Sequence, residues 1–467
     1  MNPDLTLRPN QISDVAFFMV HERGMLLHDP AVGKTPVACA FMWWLWVEKK
    51  QCTIWAMPVS LRDKNKEELL AWTGFTDEEL VLYDGGPVPP QAKVLLITTE
   101  RMRRSWRDMV NALPIGLYAV DEWQLGGYRS PKSKRSIELY AAMEKIPRFM
   151  PMSGTLISGR WDSAYTAISL IDWRYYVSPE DFVAQHGLLD ENGNVTAWIN
   201  PDKLARIFQK HGVCRSFAEE YGPEAKVIVV ETCDMAPKQR KMYDQFEAEA
   251  LLELEDRFLD GTNPGVATLR CRQIMAHPEC VRLATEHDID GKPIAWKDYD
   301  LTGGEMTGKD ARLELHFLDH YEKHTQIVTF GVFQTEIERA ATLAEKCGLR
   351  TAYIHGGVGS TERSRIDRAL RSKELDHVAS SSDTAGVGFN WGDLDHILFT
   401  SLQYKDDSFL QGYRRGIRGV RKKPLLITVL EYRKSVDQPI MRIIERKSAD
   451  ASKVNSNREP IIFRGPN

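Results

Sequence analysis

The residues Gly33-Lys34-Thr35 are the first whose types and spacing could do chemistry. They close the stretch LLHDPAVGKT, Leu26 to Thr35, in which an apolar run meets a turn and then a helix start. Backbone amides at such a turn converge on one spot, and the helix N-terminus adds partial positive charge. Lys34 would reach the β- and γ-phosphates of ATP, and the Thr35 hydroxyl would hold Mg²⁺. Asp29, Pro30, Ala31, Val32 and Gly33 would form the cradle. The usual pattern has a glycine five residues before Gly33, and His28 stands there instead. A lone Gly-Lys-Thr also arises by chance, so the rest of the chain decides.

A second acidic signal supports the first. Asp121-Glu122 ends the apolar run GLYAVDEW, the place where ATP hydrolysis needs carboxylates. Asp121 would hold Mg²⁺ through water, and Glu122 would orient and polarise the attacking water. A solvated turn pair is the alternative. Upstream of the phosphate loop, Arg8 and Gln11 precede an amphipathic helix. A glutamine there can present both amide groups to an adenine edge, although a solvated helix start would look the same.

These residues need a scaffold, and the chain supplies its pattern. CTIWAMP (52–58), KVLLITT (93–99), GLYAVDEW (116–123) and RFMPMSGT (148–155) read as buried strands separated by helical segments. That alternation predicts an α/β fold with a parallel sheet and crossover helices. Functional residues of such sheets gather at the carboxyl ends of the strands. Pro58, Thr98, Thr99, Asp121, Glu122 and Ser153-Gly154-Thr155 all fall there. Ser153, Gly154 and Thr155 could be an ordinary turn or a small hydroxyl-bearing hinge that relays hydrolysis.

The order of these signals resembles a superfamily-2 helicase-like ATPase and, more narrowly, the Swi/Snf-type family of double-stranded DNA translocases. LRPNQ is similar to that family's glutamine motif, DPAVGKT to its phosphate loop and MPVSL to its first strand-end DNA-contacting motif. DEWQLGGYRSPKSKRSIEL and MSGTLISGRWDSAYTAISLID resemble the next two motifs. In the middle, CRSFAEEYG, KVIVVETCDMAPKQRKMYDQF and LRCRQIMAHPECV are similar to segments of this family rather than of helicases generally.

The second half reads as another open parallel sheet without a second phosphate loop. The resemblance therefore implies two tandem RecA-like lobes, 1–225 and 226–467, that close on one ATP. Helical protrusions are expected at about 175–220 and 235–310, with a C-terminal brace. QGYRRGIRG (411–419) places Gln411, Arg415 and Arg418 as the family's last motif does. Residues three apart are neighbours on a helix, so both arginines are expected on one face. An arginine aimed at a γ-phosphate is worth about 10³–10⁵ in rate. DTAGVGFN, 383–390, resembles the motif that touches DNA backbone and the nucleotide side, with Gly388 permitting close approach. The DNA-contact candidates are Pro58, Thr98, Thr99, Ser382, Asp383 and Thr384. Trp391 reads as a core aromatic rather than a base-stacking platform.

Composition bounds the rest. With 467 residues the chain suits two or three domains, and a net charge of -4 puts nucleic-acid binding on local patches. Seven scattered cysteines form no zinc-spaced cluster, which suits a reduced, cytoplasmic compartment, and the resemblance to a minimal motor core implies a bacterium or a virus-infected cell. No secretory signal is legible, and the apolar run Val37 to Val47 is too short for a bilayer, so a buried helix is expected. The combined expectation is a monomeric, ATP- and Mg²⁺-dependent double-stranded DNA translocase acting in replication, recombination or repair. Its partner is duplex or branched DNA held mainly by the backbone. The alternatives are a strand-separating or branch-migrating helicase, an RNA-stimulated ATPase and a non-hydrolysing scaffold.

Overall fold

Largely apolar runs build the inner strands of both sheets, because strands covered by helices on both faces bury nearly every side chain, while the edge strands stay partly open. The computed structural model describes all residues except 1, 3, 129, 155–156, 158–160, 250, 254–257, 261–263, 288–292, 299–300, 303, 383–388, 390, 418, 455–458 and 464–467. The chain forms two compact units, Met1–Glu224 with Lys447–Pro460, and Ala225–Arg446 with Ile461–Asn467.

In the first unit five parallel strands run in the order Leu80–Leu82, Val94–Ile97, Cys52–Ala56, Ile115–Val120 and Arg148–Pro151. The phosphate-loop strand Met25–His28 joins Arg148–Pro151 through the bridges Arg23 to Phe149 and Leu26 to Met152. Its other side pairs in parallel with Gly212–Arg215. The loop therefore leaves from an interior strand, flanked by the strand that leads to Ser153. The helix Lys34–Lys49 buries Val37 through Met42 and Leu45, as expected of the apolar run. Among the described residues no helix is long and apolar enough to cross a membrane.

In the second unit six parallel strands run in the order Lys226–Cys233, Leu425–Tyr432, His396–Phe399, Ile327–Gly331, His377–Ser381 and Thr351–Ile354. The α/β fold with parallel sheets flanked by helices is that of RecA-like lobes. Trp391 lies in the core, 3% exposed, with its indole N–H donated to Asp367 at 3.0 Å.

Three expectations need correction. The protrusion segments are not purely helical: Gly187–Leu189 pairs with Val195–Trp198, Leu251–Glu253 with Phe258–Asp260, and Arg282–His287 with Pro293–Asp298. The C-terminal helix Asp437–Val454 does not stay with the second unit, because residues from Lys447 cluster with the first and Val454 is buried in its core. The arginine motif is not one helical face. Its helix, Asp406–Tyr413, stops between Gly412 and Gly416, and Arg415 sits in the following turn.

Candidate nucleotide site

The turn after Met25–His28 is held in a conformation that most residues avoid. Ala31 has φ 73° and Gly33 has φ 94°, and Gly33 caps the helix that begins at Lys34. A non-glycine residue in this region costs on the order of 1–3 kcal/mol, so its surroundings must fix it. They do so from several sides. Gln11 donates its side-chain amide to the Gly33 carbonyl at 3.3 Å, and Arg8 donates to the Val32 carbonyl. A Cβ at Gly33 would lie 2.5 Å from the Gln11 amide nitrogen and would strain a backbone at φ 94°, so glycine suits the position. Arg8 also donates to the Tyr221 hydroxyl at 2.5 Å and pairs with Glu220 at 3.4 Å. The expected glutamine motif thus reaches the phosphate loop and also the helix Phe217–Tyr221.

His28 is part of the same frame. Its ring is 1% exposed, and its Nε2 lies 3.0 Å from the Asp14 carboxylate. Asp14 in turn accepts from Arg215 at 2.7 Å. Burial pushes Asp14 up, but hydrogen bonds from His28 and Arg215 outweigh it and hold the carboxyl below its ordinary value. Burial pulls His28 below its ordinary value against the opposing pull of Asp14. Asp29 extends the tie by donating its N–H to the Arg215 carbonyl at 2.9 Å and accepting from the Phe217 N–H at 3.0 Å. The residue that replaces the usual glycine therefore anchors the loop to the helix Pro9–Val20 and the strand Gly212–Arg215.

Lys34 donates to the His28 carbonyl at 2.9 Å. Nearby in the site, Asp121 is 6% exposed and accepts from the Asn65 amide at 3.1 Å. Burial first, and the Glu122 carboxylate second, raise Asp121 to about 6, while Lys34 opposes them. Glu122 itself has φ 49°, a left-handed position for a residue with a full side chain. Two carboxylates so placed are short of positive charge, which is the condition a divalent cation relieves. The residues present therefore fit Mg²⁺ and a nucleotide.

From Glu122 a relay runs to the next motif. Gln124 donates to the Glu122 carboxylate at 2.5 Å, and its carbonyl accepts from the Ser153 hydroxyl at 2.7 Å. Ser153 also donates its N–H to the Leu26 carbonyl at 3.1 Å. Gly154 lies close enough to the loop that a Cβ there would stand 2.7 Å from Pro30 and 3.2 Å from the His28 carbonyl. Asn65, Asp14 and Arg215 had no sequence signal of their own, because their partners lie far away along the chain.

The remaining candidates separate. Thr35 is half-buried in the first turn of its helix, and Pro58 and Thr98 cap the helical segments after their strands. Thr99 opens the helix Thr99–Ala112. In the second unit, Ser382 is buried, Gln411 lies half-buried on its helix, and Arg415 is buried with a donation to the Phe389 carbonyl at 3.0 Å. Thr155, Asp383, Thr384, Gly388 and Arg418 lie outside the described residues.

Comparison with known proteins adds independent findings. Residues 309–419 match the helicase conserved C-terminal domain. No curated protein sequence matches the chain. Among solved structures it is similar to the crystal structure of the DUF1998 helicase MrfA bound to DNA, with a TM-score of 0.59 and 14% identity. That match covers 98% of this chain and 52% of the other, so the chain spans about half the length of that helicase. The Sulfolobus solfataricus SWI2/SNF2 ATPase core in complex with dsDNA matches at a TM-score of 0.40 and 16% identity, covering 98% of both chains. The matched segment is a helicase-type C-terminal domain within the second unit, and the likeness to MrfA is one of fold.

Proposed function

We propose that the chain is an ATP-dependent motor that translocates on double-stranded DNA as a Swi/Snf-type remodeller, holding mainly the phosphate backbone. The observation that carries the hydrolytic part is the convergence of Lys34, Asp121 and Glu122 on the strained loop, with Gln124 and Ser153 behind them. Thr35 and Asp121 would hold Mg²⁺, which supplies charge neutralisation to the transferred phosphoryl group. Lys34 leaves the His28 carbonyl for the β- and γ-phosphates. Glu122 orients the attacking water, and its own orientation is set by Gln124. A change at Glu122 reaches Ser153 through two hydrogen bonds, which gives hydrolysis a path toward the strand end. Arg415 and Arg418 are proposed to stabilise charge during hydrolysis, with Gln411 beside the nucleotide.

Backbone binding rests on small donors at strand ends. Thr98 accepts from the Arg101 N–H at 3.1 Å, which leaves its hydroxyl proton for a phosphate oxygen. Pro58 and Thr99 share that edge, and Ser382, Asp383 and Thr384 would serve the second sheet. The resemblance of the middle segments to the Swi/Snf-type family favours duplex over single-stranded substrate. A strand-separating helicase is the second reading, favoured by the likeness to MrfA.

The test is ATP turnover by the full chain with duplex, single-stranded, forked and Holliday-type DNA and with duplex RNA, beside triplex-displacement and fork-unwinding assays. Stimulation by duplex DNA with triplex displacement and no unwinding supports the translocase. Unwinding of the fork supports the second reading. Absence of nucleic-acid stimulation overturns both.

A further inference from the structure

The amino ends of the second sheet carry a basic groove that none of the motif residues uses. It has a volume of about 680 Å³ and is lined entirely from within the second unit. Its floor lies where three adjacent strands begin: Gln326 precedes Ile327–Gly331, Asp395 precedes His396–Phe399, and Lys423 stands two residues before Leu425–Tyr432. This is the opposite end of the sheet from Ser382 and the strand-end motifs.

Ordinarily the carbonyls that collect at such an end, from helix C-termini and loops, would make it negative. Here several of them already accept from side chains of the groove. Gln326 donates its amide to the carbonyls of Leu370, at 2.8 Å, and Leu375, at 2.7 Å. Arg421 donates to the carbonyls of Gly392, Gly416 and Leu394, the last at 2.6 Å. These bonds also fix the loop that follows the arginine motif against the groove wall.

With these carbonyls occupied, the ionised side chains set the potential, and five cations face the two carboxylates of Asp393 and Asp395. The cations are of two kinds. Arg421 is spent on carbonyls, and Arg371 pairs with Asp367 at 2.8 Å. Lys373, Lys422 and Lys423 are exposed, and among the described residues none of their ammonium groups has an ion-pair or hydrogen-bond partner. Lys373 is presented on a left-handed backbone position, φ 62°, at the end of its helix.

A single fitted anion would call for a free guanidinium fork, and both arginines are engaged. Three mobile ammonium groups around an open trough suit a chain of spaced phosphates instead. We propose that this groove is a second nucleic-acid contact, at which Lys373, Lys422 and Lys423 hold the phosphodiester backbone of duplex DNA away from the strand-end motifs. The proposal rests on the DNA-motor reading and extends it to a face with no part in nucleotide chemistry.

The test compares the salt dependence of duplex DNA binding by the full chain and by K373A/K422A/K423A. Each lost phosphate contact lowers the slope of log K against log salt by about 0.9, so the triple variant should lose about 2.7. Between about 50 and 200 mM salt the wild type should then lose about 40-fold more affinity than the variant. K241A/K346A, which removes exposed lysines of the same unit outside the groove, should keep the wild-type slope. A triple-arginine variant should restore it, and DNA-free ATP turnover should be unchanged in all of them. Equal slopes for the wild type and the triple-alanine variant would overturn the groove and leave the motor reading standing. A wild type that binds no DNA at any salt would overturn both.

Discussion

The two sheets carry their charged groups at the strand ends in opposite ways. In the first unit the groups are left wanting. Asp121 is buried beside Glu122 and raised to about 6, Glu122 has a strained backbone, and Lys34 rests on a carbonyl. In the second unit the equivalent ends are closed on themselves. Lys309 pairs with Asp437 at 3.0 Å and donates to the Thr400 carbonyl at 2.6 Å. Glu336 accepts from the N–H groups of Val332 and Phe333 at 2.9 and 3.2 Å and from the Ser401 hydroxyl at 2.8 Å. Charge frustration marks a place built for a ligand, and charge closure marks a rigid body. The proposed phosphate site sits on the frustrated sheet, and the ion pairs of the second sheet hold that sheet rigid.

The largest expected loss tests the first half of that contrast. Lys34→Ala removes the cation that opposes the rise of Asp121 and the group that would meet the phosphates. ATP turnover, measured as kcat/KM, should fall by about 10³ or more, in the range found when a key charge-stabilising donor is lost. Retained turnover would remove the phosphate loop from its role. Glu122→Gln comes next. It keeps shape and hydrogen bonding but cannot polarise water, so kcat should fall by about 10²–10⁴ while nucleotide and DNA binding persist. An unchanged kcat would exclude Glu122 from the reaction.

The second half of the contrast is tested by acid. The second sheet buries His377, pulled down to about 3 by burial and then by His320, and His396, pulled down to about 2 by burial and then by His320 and His316. His377 sits between Thr329 and Thr351, at 2.9 and 2.7 Å, and His396 between His320 and Thr428, at 2.9 and 2.8 Å. With folded values below the unfolded value of about 6.5, the unfolded chain binds more protons. Stability is therefore full above about pH 6.5 and declines as the pH falls below it. Thermal unfolding followed from pH 7.5 to about 5 should show a falling Tm. His396→Gln should flatten the decline, and an unchanged slope would show that these rings do not set it.

What the sequence made legible follows the same physics. Runs such as Cys52–Ala56 and His396–Phe399 announce themselves because a strand covered on both faces has no polar position to hide it. The acidic pair stood out because it interrupts such a run. The edge strand Lys226–Cys233 did not, since only one side of it is paired and its faces are half-open. The break after Tyr413 has its signal in Gly412 and Gly416, which outweighs the spacing of the arginines. Asp14 and Arg215 were invisible for a different reason. They meet across 201 residues, and neither has a periodicity or a motif to betray the partner.

The smallest expected effect concerns the departure from the usual phosphate loop. His28 contributes two separable things: a carbonyl that holds Lys34 and a ring that ties the loop to Asp14. His28→Gln keeps both, because its amide can still donate to Asp14, so KM for ATP should move by less than about threefold. His28→Gly keeps the carbonyl, leaves Asp14 facing Arg215 alone and frees the residue before Asp29. If the ring serves to fix the loop ready for phosphate, KM should rise by about tenfold with kcat nearly unchanged, since only the ordering of the loop before binding is lost. A common fall in kcat would place His28 in the hydrolytic step. Equal KM values for the two variants would show that the strained turn at Ala31 and Gly33 is held by Arg8 and Gln11 without the buried histidine.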